Sequence, residues 1–172
     1  LYAQADSDGV VTEPDEGDNV SPGTEMCLAS PDLYEYDNDS SHAKTIAIGE
    51  IQHRNFDSML DSDFVKFEAQ AGQTYVFETG SLGPAADTRL ALGRSMPSLW
   101  DPLVVVFAEN DDSGGSLASR IEYTFSTAGT YYIIVHQWNP YIGGCGTGYS
   151  LTVKQASSQR IHLPLMLKSS DS

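Results

Sequence analysis

Between Ser119 and Trp138 the chain reads SRIEYTFSTAGTYYIIVHQW, and its apolar positions follow two different rules. Ile121, Tyr123 and Phe125 alternate with Glu122 and Thr124, the period of two expected of a half-buried strand. Residues 130–135 are almost wholly aromatic or β-branched, as a central strand covered on both faces requires. Ser126-Thr127-Ala128-Gly129 lies between them as a turn, so the stretch predicts a hairpin at the middle of a sheet. The same design occurs upstream, where residues 63–69 lead through Gln70-Ala71-Gly72-Gln73 into residues 74–79 and predict a second hairpin. Two such units predict two sheets facing each other.

Other segments fit this class. Residues 44–51 alternate through Ile46 and Ile48 and predict one strand, which residues 52–56 extend or flank. Leu103-Val104-Val105-Val106-Phe107 is apolar on both faces and predicts a buried strand, and residues 149–153 predict the strand that closes the domain. Residues 80–86 and 95–102 carry Gly and Pro and read as loops. No amphipathic run of helical length with a cap is present. The fold class is therefore all-β: an antiparallel, jelly-roll-like β-sandwich with extended tails at both ends.

Charge separates the tails from the body. The 172-residue chain has a formal net charge of -15, which excludes nucleic acid as a partner, because phosphate binding needs Lys and Arg. Residues 1–26 form an acidic tail without Lys or Arg, residues 27–155 the sandwich, and residues 156–172 a strand-like tail. In that tail Ile161, Leu163, Leu165 and Leu167 alternate with more polar residues, and Pro164 confines the segment to a sheet edge. It reads either as one more edge strand of the same domain or as a strand donated to a second copy, and the donated strand is the expectation adopted. No window is apolar and long enough to span a membrane. Ala3-Gln4-Ala5 has the small-x-small form of a signal-peptidase site. Cys27 and Cys145 fit either one disulfide or two intracellular thiols; the disulfide, and with it a secreted, extracellular or cell-surface home, is the expectation adopted.

Several motifs, in order, carry a family resemblance. They are residues 32–39 (DLYEYDND), 61–67 (DSDFVKF), 71–75 (AGQTY), 86–88 (ADT), 110–112 (NDD), 128–132 (AGTYY) and 148–153 (GYSLTV). Together they resemble the bacterial pre-peptidase C-terminal domain, an all-β sandwich found beside secreted peptidases, and they cover residues 32–154. The family's usual Glu-Pro-Asn-Asp entry is here Glu35-Tyr36-Asp37-Asn38, and the 172 residues themselves read as the sandwich with two tails.

The resemblance implies a calcium site built from Glu35, Asp37, Asp61 and Asp63. Clustered carboxylates repel one another unless a cation neutralises them, and calcium takes six to eight such oxygens. Asp87, Asn110, Asp111 and Asp112 form a second candidate cluster, which also fits hydrogen-bonded turns at strand ends. Trp100, Trp138 and Tyr141 could stack on a sugar or peptide, or could cap the core. His42, His53, His136 and His162 lack metal-ligand spacing, and no catalytic constellation is evident. The expectation is a non-catalytic structural or adhesive subunit that assembles with copies of itself, stabilised by calcium and a disulfide. The alternative is an accessory domain that binds an extracellular polysaccharide or protein polymer.

Overall fold

The computed structural model describes residues 30–96 and 103–156. Nine strands follow one another: β1 (Lys44–Thr45), β2 (Ile51–Asn55), β3 (Ser62–Ala69), β4 (Thr74–Gly80), β5 (Thr88–Met96), β6 (Leu103–Asn110), β7 (Arg120–Thr124), β8 (Gly129–Gln137) and β9 (Gly148–Gln155). They form a five-stranded sheet, β1-β3-β8-β5-β6, and a four-stranded sheet, β2-β9-β4-β7. No helix occurs among the described residues, so the all-β sandwich stands. One pairing departs from the antiparallel rule, because the two-residue β1 runs parallel to β3.

The two Ala-Gly turns are not hairpins. β3 and β4 lie in opposite sheets, and so do β7 and β8. Each turn is an arch that carries the chain across the core. The arches then stack side by side: β3 pairs with β8 from Ser62↔His136 to Ala69↔Gly129, and β4 pairs with β7 from Thr74↔Thr124 to Glu78↔Arg120. Gly72 N donates to Phe125 O at 2.7 Å, and Phe125 N donates to Gln73 O at 3.0 Å, so the turns are bonded to each other. Gly72 (φ +76°) and Gly129 (φ +144°) take backbone angles that a Cβ resists. The cause is burial. Phe67 on β3 meets Tyr75, Phe77 and Phe125 edge-on at 5.0–5.5 Å between ring centres, and those rings reach it only from the opposite sheet.

Other boundaries differ for similar reasons. Residues 44–51 are not one strand. Gly49 (φ +87°) turns the chain after Ile46, and β2 joins the other sheet beside β9. Residues 52–56 therefore neither extend β1 nor pair with it. β6, expected to be buried, is an edge strand with Val105, Val106 and Phe107 each 39–44% exposed. β9, expected to close the domain, lies inside its sheet between β2 and β4. β8 is central as expected, and Ile133, Ile134 and Val135 are all buried. β5 extends through Ser95 and Met96, which the sequence reads as loop.

β2 has its polarity reversed. Ile51 is 58% exposed, whereas Gln52 and Arg54 point inward and are buried. Two polar side chains thus enter the open end of the sandwich, where the turn Asp57–Asp61 and the segment before β1 converge. The donated-strand segment Ile161–Leu167 lies outside the described residues.

Candidate functional site

The open end collects acids around that reversed strand. Arg54 Nη1 lies 2.7 Å from Asp37 Oδ2 and 3.0 Å from Asp63 Oδ1, with all three side chains fully enclosed. Its Nε and Nη2 both donate to Gln52 Oε1, at 3.1 and 2.9 Å, and its guanidinium stacks 4.3 Å over the Tyr34 ring. The other Asp63 oxygen accepts the Tyr149 hydroxyl at 2.5 Å. Burial pushes the Asp37 and Asp63 carboxyls up, against the opposing pull of Arg54.

The segment before β1 is pinned to both sheets. Asn55 N at the end of β2 donates to Asp32 Oδ2 (2.9 Å), and Phe64 N on β3 donates to Asp37 O (3.0 Å). This holds Glu35 between Asp32 and the turn Asp57–Asp61, where Asp57 N donates to Asp61 Oδ2 at 2.7 Å. Two carboxylate triads result, Asp32–Glu35–Asp63 and Glu35–Asp57–Asp61, each with ligand atoms within 4.8 Å of one another. Glu35 Oε1 and Asp61 Oδ1 are enclosed and accept no hydrogen bond. Burial, then the charges of Asp61, Asp57, Asp32 and Asp37, lift the Glu35 pKa to about 8. Burial is also the main cause of the rise of Asp61 to about 6.

Of the four residues expected to hold calcium, Glu35, Asp61 and Asp63 enter these triads, whereas Asp37 is taken by Arg54 and is in neither. Sequence reading missed Asp32, Asp57 and Arg54. The fit to a hard cation is good: the donors are carboxylate oxygens, and two of them are buried without a donor of their own.

The second cluster also forms. Asp87, Asp111 and Asp112 converge at the same end of the sandwich, with Asp87 Oδ1 and Asp111 Oδ1 enclosed and unpartnered. Burial, then Asp111 and Asp112, raise the Asp87 pKa. Asn110 instead supports the turn: its Oδ1 accepts Arg120 N (2.8 Å) and its Nδ2 donates to Asp112 O (3.2 Å). Beside it a shallow cleft of about 360 Å³ is lined by Arg89, Glu109, Asn110, Asp111 and Trp138. Trp138 is 55% exposed and Tyr141 74% exposed, so neither caps the core; Trp100 lies outside the described residues. Cys145 carries no free thiol, and Cys27, the partner expected for it, lies outside the described residues.

One contact has a catalytic look. Ser62 Oγ lies 2.9 Å from His136 Nδ1 on the outer face of the five-stranded sheet. Burial and then the charge of Arg89 hold the His136 pKa below its ordinary value. Among the described residues no carboxylate bonds to His136, so this pair lacks the group that would orient a base.

No family model matches the chain, and no curated protein does. Among solved structures the chain is similar to the pre-peptidase C-terminal domain of a collagenase from Bacillus anthracis. The two share 16% identity over 65% of this chain and 94% of that one, with a TM-score of 0.44. That is the domain type the sequence motifs resemble. The chain is also similar to Aeromonas hydrophila PliG, a periplasmic lysozyme inhibitor of g-type lysozyme, at 16% identity over 66% of this chain and 96% of that one, with a TM-score of 0.49.

Proposed function

We propose that this chain is a non-catalytic, extracellular β-sandwich subunit with a structural or adhesive role. In this reading its copies are joined by donated terminal strands, and its open end is held by calcium and a Cys27–Cys145 disulfide. The observation that carries the calcium part is the imbalance at that end. Asp32, Glu35, Asp37, Asp57, Asp61 and Asp63 gather around the single guanidinium of Arg54, and Glu35 Oε1 and Asp61 Oδ1 are enclosed without a donor. Glu35, Asp57 and Asp61, with Asp32 and Asp63 beside them, would hold the ion. Calcium would supply the positive charge that these oxygens lack and tie the segment before β1 to the β2–β3 turn.

Calorimetric titration of calcium chloride into the full chain tests this. The expected result is saturable binding, at least about tenfold weaker for magnesium and lost in Glu35→Gln/Asp61→Asn. A flat titration, or equal binding by the double variant, removes calcium from this site.

Exposed Trp138 and Tyr141 favour a second reading, an accessory domain that binds an extracellular polymer. Here a soluble polysaccharide or gelatin would quench tryptophan fluorescence in the native chain and quench it less in Trp138→Ala. An unchanged response in that variant counts against it.

A further inference from the structure

Among the described residues the sandwich has four sheet edges, and three of them are blunted. β1 is two residues long. β2 is five residues, four of them polar (Gln52, His53, Arg54, Asn55). β7 is five residues and carries Arg120 and Glu122, which pair with each other. β6 is different. It is eight residues long, pairs only with β5 among the described residues, and contains neither Lys nor Pro. Val105, Val106 and Phe107 stay 39–44% exposed on it, and its single charge, Glu109, is turned back onto Arg89 at 2.6 Å. A long, apolar, unguarded edge is a template for another strand. We infer that β6 is the acceptor edge for residues Ile161–Leu167 of a second copy of this chain, an inference that rests on the donated-strand reading above.

Three features of the sequence fit that occupant. Within a strand, alternate residues aim their N–H and C=O groups to opposite sides. If Pro164 faces away from β6, its missing N–H costs nothing, and the backbone groups of Ile161, Leu163, Leu165 and Leu167 all face the edge. Those same four residues share one side-chain face, which is apolar enough to cover Phe107 and the Tyr123 ring stacked 4.9 Å from it. Charge agrees as well. In a chain of net charge -15, residues 156–168 contain no acid, and within them Ile161–Leu167 is flanked by Arg160 and Lys168. Whichever way the strand runs, one of these cations arrives at the end of β6 where Asp87, Asp111 and Asp112 converge.

The chain's own tail is badly placed for this edge. β9 ends in the other sheet, with Ala156 N bonded to Thr74 O, and β4 and β7 stand between it and the β6 side. A position beyond β6 is about three strand spacings of ~4.8 Å and one sheet gap of ~10 Å away, roughly 18 Å on the diagonal. Five residue steps from Ala156 to Ile161 reach at most about 18 Å, so the chain's own tail arrives there only when fully extended, with no slack to round the sheet. A second copy faces no such limit.

Full-length variants test the inference by complementation. Val106→Lys charges the acceptor edge and leaves the tail intact; Leu163→Glu/Leu165→Glu does the reverse. Mass photometry should show wild-type particles larger than one chain of 18.6 kDa. Each variant alone should be monomeric, its dissociation constant raised more than about tenfold, and a 1:1 mixture should recover a two-chain particle. Near-ultraviolet circular dichroism confirms that each variant is folded; should Val106→Lys fail there, Val106→Thr with a milder weakening takes its place. If the wild type assembles and Val106→Lys does so equally well, β6 is not the acceptor, although the assembly reading survives. If the wild type is itself a monomer, both fall.

Discussion

Replacing Arg54 with methionine keeps most of the side chain's volume and removes its charge. In the native protein the guanidinium is fully enclosed, bonded to Asp37, Asp63 and Gln52 and stacked on Tyr34. Without it two buried carboxylates lose the one ion-pair partner they have among the described residues. Breaking a buried pair from one side costs about 3–5 kcal/mol, because the other charge stays enclosed. For a chain of this size each kcal/mol moves the melting temperature by about 2–4 °C, so the expected fall at pH 7.5 is about 6–20 °C.

The pH dependence identifies the cause. The folded-state pKa values of Asp37 and Asp63 lie above their ordinary values, so in the variant both acids take up protons more readily when folded than when unfolded. Proton uptake on folding adds stability that is present at low pH and lost as pH rises. The deficit of Arg54→Met should therefore shrink when urea melts are repeated at pH 5. Arg54→Lys, which keeps a charge without the planar fork, should fall between the two. A deficit under about 1 kcal/mol at pH 7.5, or one independent of pH, would refute this account of the cluster.

In chelator, the native protein should lose stability as pH rises from 4.5 to 8, as Glu35 (folded pKa about 8) and Asp61 (about 6) are forced to ionise. Because Glu35 is partly solvated and screened, its share is roughly 1–2 kcal/mol; thermal melts across that range check both sign and size, and a flat or rising profile contradicts them. Phe67→Ala should cost about 3–5 kcal/mol in urea titration, since Phe67 is 1% exposed and touches rings from both arches. Gly143→Ala should destabilise by more than about 2 kcal/mol, because its Cβ would lie 2.1 Å from Ser58 O and 2.7 Å from Met59 N, both backbone atoms. A neutral melt for Gly143→Ala would mean that the β2–β3 turn and the loop after β8 are not in contact.

Strand positions were legible because burial on one face writes a period of two into residues 62–69, 74–80 and 120–124. Pairing was not, since alternation looks the same whether a turn folds a strand back beside itself or carries it across the core. A usable clue lay in the turns. Neither Ala71-Gly72 nor Ala128-Gly129 is the Asn-Gly or Asp-Gly pair that a tight hairpin favours. Apolar residues on both faces marked β6 as buried, yet it carries them at a sheet edge, where Val105, Val106 and Phe107 stay partly exposed. At the site, Glu35, Asp61 and Asp63 were reached through the family motifs. Arg54 was hidden because hydrophobic patterning turns Ile51 inward and Arg54 outward, the opposite of what the acids at the open end impose.

The stacked arches also govern when the protein can acquire its shape. Among the nine strands only β5 and β6 are neighbours both in sequence and in a sheet. Apart from the short β1–β3 pairing, the other pairings wait for a distant segment: β2 needs β9, and β3 needs β8. Loop closure must come before such contacts form, which slows folding relative to helical or hairpin-rich domains of equal size. A chain emerging from a ribosome therefore holds little beyond the β5–β6 ribbon until β7 and β8 follow, and its four-stranded sheet stays split, with β2 unpaired, until residue 155 is free.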